Sequence, residues 1–291
     1  MELFNLILGS IYFLSATTLF ILNVLLIVTL YKHKEYRTCT YLLIKNIIFA
    51  GIMQLVAFIG GSIMTIFQSN IHPMLERVLG ALIQSGWFLY LVLSAALAVD
   101  RLLIFFFCKC IRLNKIVSWV FLLLSWLLSL TVLTILLLSR LEFSYSNQDF
   151  YLWGYSSQEE SKIMEKVESF VDPITFGVIF LIYMVVLVYL VKLKRSVAVT
   201  SLNLSNESRI FISAFVPFVY ESLFVSLNYW IPEFLAPKYA MNIAVNQGWI
   251  VNSGLFAVTI LVLNFRLRER VFRLVVKKSN LRSVSTVNGT K

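Results

Sequence analysis

Charge is what this sequence has least of. Only 14% of its 291 residues are Asp, Glu, Lys or Arg, where a soluble domain carries roughly 25%. With 59% hydrophobic residues, too little polar side chain remains to cover a water-soluble globule. Histidine is nearly missing: His33 and His72 fall in separate loops between apolar runs, so no histidine-based site forms, and no other catalytic constellation is present. Cysteine is limited to Cys39, Cys108 and Cys110. The Cys-Lys-Cys spacing at 108 to 110 lacks the further Cys or His that a zinc site needs. No metal, no cofactor and no enzymatic role are expected. A net charge of +10 would suggest nucleic acid if the basic residues shared one folded polar face. They sit between apolar runs instead, which excludes that partner.

Apolar length is abundant. A bilayer core takes about 20 predominantly apolar residues per helix, and irregular backbone cannot face lipid there. Seven runs meet that requirement: Leu6–Tyr31, Tyr41–Phe67, Leu79–Phe107, Ile116–Leu138, Val171–Val191, Ile210–Trp230 and Met241–Asn264. The first is too long for a signal-peptide core and lacks a basic start, so it reads as a retained helix. The expected fold class is an all-α membrane protein, a seven-transmembrane helix bundle over residues 1–264.

Orientation follows from the basic loops, which are held on the cytoplasmic side. Twenty Lys and Arg lie in the loops and helix ends after the first, third and fifth runs and in the tail, beside four acids; the opposite face has five Lys and Arg and ten acids. The amino terminus is therefore expected outside, in the plasma membrane. All three cysteines then face the reducing cytoplasm, where disulfides are rare, and read as inert thiols or palmitoylation sites. The sequons at Asn203, Asn206 and Asn288 fall on the same side and read as chance matches. The longest loop, Ser139 to Phe170, is acidic, carries Tyr145, Phe150, Tyr151, Trp153 and Tyr155, and lies outside. It either covers a pocket mouth or rests its aromatics on the membrane interface.

Two charged positions inside the apolar runs stand out. Asp100-Arg101 ends the third run, where an arginine reaches polar groups near the surface while its stem stays apolar. Glu221 stands in the middle of the sixth run, where a carboxylate costs several kcal/mol unless paired, hydrated or protonated. It is expected to face inward near Gln247, with Tyr220, Asn228, Asn246 and Asn252 as further neighbours. It either binds a ligand's polar group or hydrogen-bonds between helices. Trp87, Tyr90 and Trp249 are candidate apolar walls. Pro217, four residues before Glu221, removes a backbone donor and kinks the sixth helix.

Asp100-Arg101-Leu102, Trp126 within the fourth helix and a basic helix after the seventh together resemble rhodopsin-like G-protein-coupled receptors. Tyr41-Leu-Leu-Ile-Lys-Asn-Ile-Ile-Phe-Ala-Gly-Ile-Met-Gln-Leu55, Arg209-Ile-Phe-Ile-Ser-Ala-Phe-Val-Pro-Phe-Val-Tyr-Glu221 and the exit Leu263-Asn264-Phe-Arg-Leu-Arg268 are similar to nematode chemosensory serpentine receptors, class X above all. The resemblance implies a small-molecule ligand bound from outside by Trp87, Tyr90, Glu221, Gln247 and Trp249. It also implies a heterotrimeric G protein coupled inside through Asp100, Arg101, Arg209 and Arg266, with a sensory cilium as the expected location. The chain departs from the superfamily at Gly51, where an aspartate is usual, in lacking Asn-Pro-x-x-Tyr in helix seven, and at Glu76, where no cysteine is available for the usual outer disulfide.

Residues 265–278 place Phe265, Phe272, Val275 and Val276 opposite Arg266, Arg270, Arg273 and Lys277, an amphipathic helix for anionic membrane lipid. Residues 279–291 read as a disordered polar tail. The rival reading is a seven-helix ligand-gated channel or transporter, which several intramembrane charges or inverted repeats would favour.

Overall fold

A backbone inside hydrocarbon must satisfy its own hydrogen bonds, and this chain does so with helices. The computed structural model describes residues 2–106, 111–146, 152–196, 202–230 and 238–274. Cys108, Cys110, Phe150, Tyr151, Val275, Val276, Lys277, the polar tail with Asn288, and the side chains of Asn203, Asn206 and Asn228 lie outside the described residues. The spanning helices are α1 (Glu2–Lys32), α2 (Cys39–Phe67), α3 (Pro73–Phe106), α4 (Ile111–Leu138), α5 (Glu159–Ser196), α6 (Leu202–Trp230) and α7 (Lys238–Leu263). Each contains a stretch long and apolar enough to cross a membrane. A short helix α8, residues 265–274, follows a break at Asn264. Antiparallel strands β1 (Phe143–Ser146) and β2 (Leu152–Tyr155) pair with Tyr145 opposite Trp153.

The inner helices are α2 and α3, with 61% of each crossing stretch buried against 22% in α1 and α5. Leu127 and Leu138 of α4 and Ile174 and Leu181 of α5 remain exposed, an arrangement suited to lipid and costly in water. Three helices begin six or more residues earlier than hydropathy indicates: α3 at Pro73, α5 at Glu159 and α6 at Leu202. Polar residues do not end a helix, and Glu159 and Glu160 suit the positive end of the α5 dipole. At 38 residues α5 is about 57 Å long, well beyond a hydrocarbon core of about 30 Å.

The β hairpin packs down on one end of the bundle. Thr65 Oγ1 donates to the Gly61 carbonyl (3.0 Å), which leaves the Tyr145 hydroxyl to donate to Thr65 Oγ1 (2.5 Å). Asn70 Nδ2 donates to the Tyr145 carbonyl (3.2 Å), and the Tyr145 N–H donates to the Glu76 carboxylate (2.9 Å). Glu76 thereby ties α3 to the hairpin through a hydrogen bond in place of a covalent one. The β1 backbone also comes so close to α3 that a Cβ on Gly80 would run into the Phe143 carbonyl oxygen. Gly51 does the same between α2 and α7: a Cβ there would meet the Ser253 carbonyl oxygen. The position where the superfamily that this sequence resembles usually has an aspartate is therefore filled by neighbouring backbone.

The opposite, basic end is closed by α8. Asn264 Oδ1 caps it by accepting from the Leu267 N–H (3.2 Å), and Leu267 and Val271 are buried beneath it. Phe265 and Phe272 are exposed, so α8 has one apolar side on the bundle and aromatics free for lipid. Arg270 Nη2 donates to Glu35 Oε2 (2.8 Å) and its guanidinium lies 5.5 Å from the Tyr36 ring centre. Partial burial pushes the Glu35 carboxyl up, but bonds from Arg270 and Tyr36 with the Arg270 charge outweigh it and hold the group below its ordinary value. Lys45 Nζ donates to the Tyr36 carbonyl (2.9 Å), fixing the same turn from α2.

Gly51→Ala and Gly80→Ala should each destabilise the bundle by about 1–3 kcal/mol, because backbone rather than a movable side chain must give way. Gly177→Ala, with no atom near its added Cβ, should be neutral or stabilise by up to about 1 kcal/mol through helix propensity. Thermal unfolding in detergent compares the three.

Candidate functional site

Large aromatics in an apolar bundle need partners of matching shape, and at the hairpin end they find one another. Trp87 of α3 meets Trp249 of α7 edge to face at 4.6 Å and stacks on Tyr90 at 6.2 Å. Phe224 of α6 packs against Trp249 at 5.4 Å. Above this floor lies a cavity of about 290 Å³, near the lower end of ligand-pocket sizes. Phe58 and Gln54 of α2 form one side, Trp249 and Asn246 of α7 another, and Trp87 with Gln84 of α3 the base. The hairpin roofs it with Phe143, Leu152, Trp153 and Tyr155. Of the two readings of the long loop, the cover over a pocket mouth is the observed one: Tyr145 and Trp153 are buried against the bundle.

The remaining wall is acidic and comes from the part of α5 that hydropathy read as loop. Glu165 and Glu168 line the cavity. Glu168 Oε2 accepts from the Tyr155 hydroxyl (2.7 Å) and from Gln84 Nε2 (2.8 Å). One turn deeper, Asp172 Oδ2 accepts from Trp87 Nε1 (3.3 Å). Both Glu168 and Asp172 are buried. Glu221 is consequently not the sole carboxyl inside the bundle. Among the described residues no three His, Cys, Asp or Glu side chains are grouped to hold a metal ion.

Glu221 points inward, at 1% exposure, below the cavity. Its carboxylate accepts from Asn252 Nδ2 (3.4 Å), the Tyr90 hydroxyl faces it, and Asp172 lies within electrostatic reach. Gln247 is not its neighbour. That amide faces α1 and donates to Ser15 Oγ (3.2 Å), while Tyr220 donates to the Gly248 carbonyl (3.1 Å). Of the five candidate ligand residues, Trp87 and Trp249 line the cavity, Tyr90 and Glu221 lie beneath it, and Gln247 is elsewhere.

At the basic end, Arg101 is fully buried. Its Nη2 donates to Asp100 Oδ2 (2.5 Å) and to Thr40 Oγ1 (2.7 Å), and the Thr40 hydroxyl in turn donates to Asp100 Oδ2 (2.9 Å). Thr40 at the start of α2 closes a three-residue cluster that the sequence pattern of α3 alone did not reveal. Arg209 lines a narrow crevice with Tyr41, Ile260 and Asn264, and Arg266 is exposed on α8. Trp126 Nε1 donates to Asn46 Oδ1 (3.0 Å), joining α4 to α2.

The architecture is that of squid rhodopsin, whose crystal structure superposes with a TM-score of 0.71 at 14% identity, covering 95% of this chain and 87% of that one. No curated protein gives a significant sequence match. Residues 2–283 match the family described as serpentine type 7TM GPCR chemoreceptor Srt. The match is to Srt and lends no support to the finer class X resemblance. A family match over nearly the whole length, on a rhodopsin-like bundle, means that this chain belongs to the Srt serpentine seven-transmembrane chemoreceptors.

Proposed function

We propose that the protein is a plasma-membrane chemosensory receptor with its amino terminus outside, that it takes a small ligand into the cavity beneath the hairpin, and that it activates a heterotrimeric G protein at its basic end. The charge asymmetry between the two ends supports this orientation. A sensory cilium is the membrane that the chemoreceptor family suggests.

One observation carries the reading. A single unbroken helix, α3, bears both Gln84 and Trp87 at the cavity and Asp100 and Arg101 at the basic end. Gln84 and Arg101 stand about 25 Å apart along such a helix. A shift of α3 at the cavity is felt directly at Arg101. In the resting arrangement Arg101 is shielded from any partner, bonded to Asp100 and Thr40. Activation then requires that this cluster open, and the Thr40 bonds set part of its cost.

Thr40→Ala should raise basal G-protein nucleotide exchange about thirtyfold, the factor for two hydrogen bonds of about 1 kcal/mol each in a two-state equilibrium. Arg101→Ala should abolish exchange while an epitope tag on Met1 still stains intact cells. Unchanged exchange in both variants, with normal surface staining, would show that the cluster is structural only. Staining confined to permeabilised cells would reverse the orientation.

A further inference from the structure

We infer that the cavity takes a small organic ammonium ion with an aromatic or apolar body; the inference rests on the receptor reading above and names the chemical class of its ligand. Glu165, Glu168 and Asp172 are spaced three and four residues apart and so share one face of α5. Glu165 is exposed at the mouth, Glu168 forms the wall, and Asp172 lies behind Trp87. Among the described residues that line the cavity there is no Lys, Arg or His to neutralise them.

The bonds these carboxylates do make orient them without balancing their charge. Glu168 takes its bonds from neutral donors, the Tyr155 hydroxyl and the Gln84 amide on Oε2 and the Trp87 indole beside them. Asp172 receives one indole N–H on Oδ2, and its buried Oδ1 has no partner among the described residues. Asn246 of α7 also lines the cavity, with 2% exposure, and its Oδ1 has no partner among the described residues. An unpaired acceptor on a residue of the cavity wall, together with the carboxyl groups of α5, suits a ligand that donates N–H bonds.

The rest of the wall fits the body of such a ligand. Trp87, Trp249, Trp153 and Tyr155 offer aromatic faces that attract a cation and pack an apolar ring. A bare calcium or magnesium ion is a poor match, since it takes six or more oxygen ligands and the wall of this cavity of about 290 Å³ is largely carbon. A neutral odorant would leave the acidic face uncompensated. An anionic one would be repelled by it.

The test uses purified full-length receptor in detergent and measures its unfolding temperature with phenethylamine, tryptamine and hexylamine. Each is compared with the alcohol and the carboxylic acid that replace the amine on the same body. The amines should raise the unfolding temperature and the counterparts should not. E168Q and D172N should each weaken amine binding at least tenfold, and E165Q, on an exposed residue that folding tolerates, about threefold. Amines that shift unfolding no more than their alcohols would overturn the inference, as would wild-type amine affinity in all three variants. Alcohol binding that Trp249→Ala removes would keep the cavity as a ligand site and discard the cationic ligand. Nucleotide exchange by the same preparation without ligand is scored separately: its absence would count against G-protein coupling and leave the ligand class to the binding data.

Discussion

Inside a hydrocarbon-spanning bundle a polar side chain has no bulk water to turn to, so leaving one unpaired is costly and bonds to other helices are at a premium. That constraint fixes how these helices are joined. Asp100 and Arg101 of α3 close on Thr40 of α2. Trp126 of α4 closes on Asn46 of α2, and Ser253 of α7 on Gln54 of α2. Gln84 and Trp87 of α3 hold the two buried acids of α5. Apolar packing between helices is no stronger than packing against lipid tails, so bonds such as these, with close backbone approach at Gly51 and Gly80, select one arrangement among many.

The same economy explains the hairpin. A long polar segment above a cavity loses considerable chain entropy when it is fixed in one place. Here the fixing is done by Tyr145, which is held through its N–H by Glu76, through its carbonyl by Asn70 and through its hydroxyl by Thr65. Each bond contributes only about 1 kcal/mol, so the tether is sturdy in sum and breakable in part. A roof held in this way can open for a ligand without any covalent step, which suits a site whose occupant must come and go.

The seven crossings and the basic end were legible because hydropathy and charge are sums over many residues. Single neighbours were less so. Gln247 and Asn252 differ by five residues, about 140° around a helix, and nothing in the sequence sets the rotation of α7 that gives Glu221 to Asn252 and Gln247 to Ser15. The acidic wall was missed for a different reason. Residues 159–170 lower the local hydropathy, so they read as loop, although the helix runs through them. The spacing of Glu165, Glu168 and Asp172 with Phe176 was a helical signal in plain view, one stripe facing inward while Ile163, Val167 and Ile174 face out. Thr40 could not have been found from the α3 motif, since its role depends on how α2 lies beside it.

A connected set of side chains runs between the two ends. Trp87 stacks on Tyr90, Tyr90 faces Glu221, and Tyr183 of α5 lies within electrostatic range of both Glu221 and the Asp100–Arg101 pair. Contact alone does not make a signal: coupling requires an element with two arrangements that both ends bias. The helix best suited is α6. Pro217 removes one of its backbone bonds four residues before Glu221, and Phe211, Phe215 and Phe218 pack around the Tyr183 ring. Phe176 touches both Trp87 at the cavity and Phe218 on α6. A ligand that displaces Trp87 therefore presses on α6 through Phe176 beside its weakest turn, while Glu221 and Asn252 hold that turn to α7. On the proposed function, Glu221 acts as the latch of the lever, which accounts for a carboxyl standing where an apolar side chain would cost less.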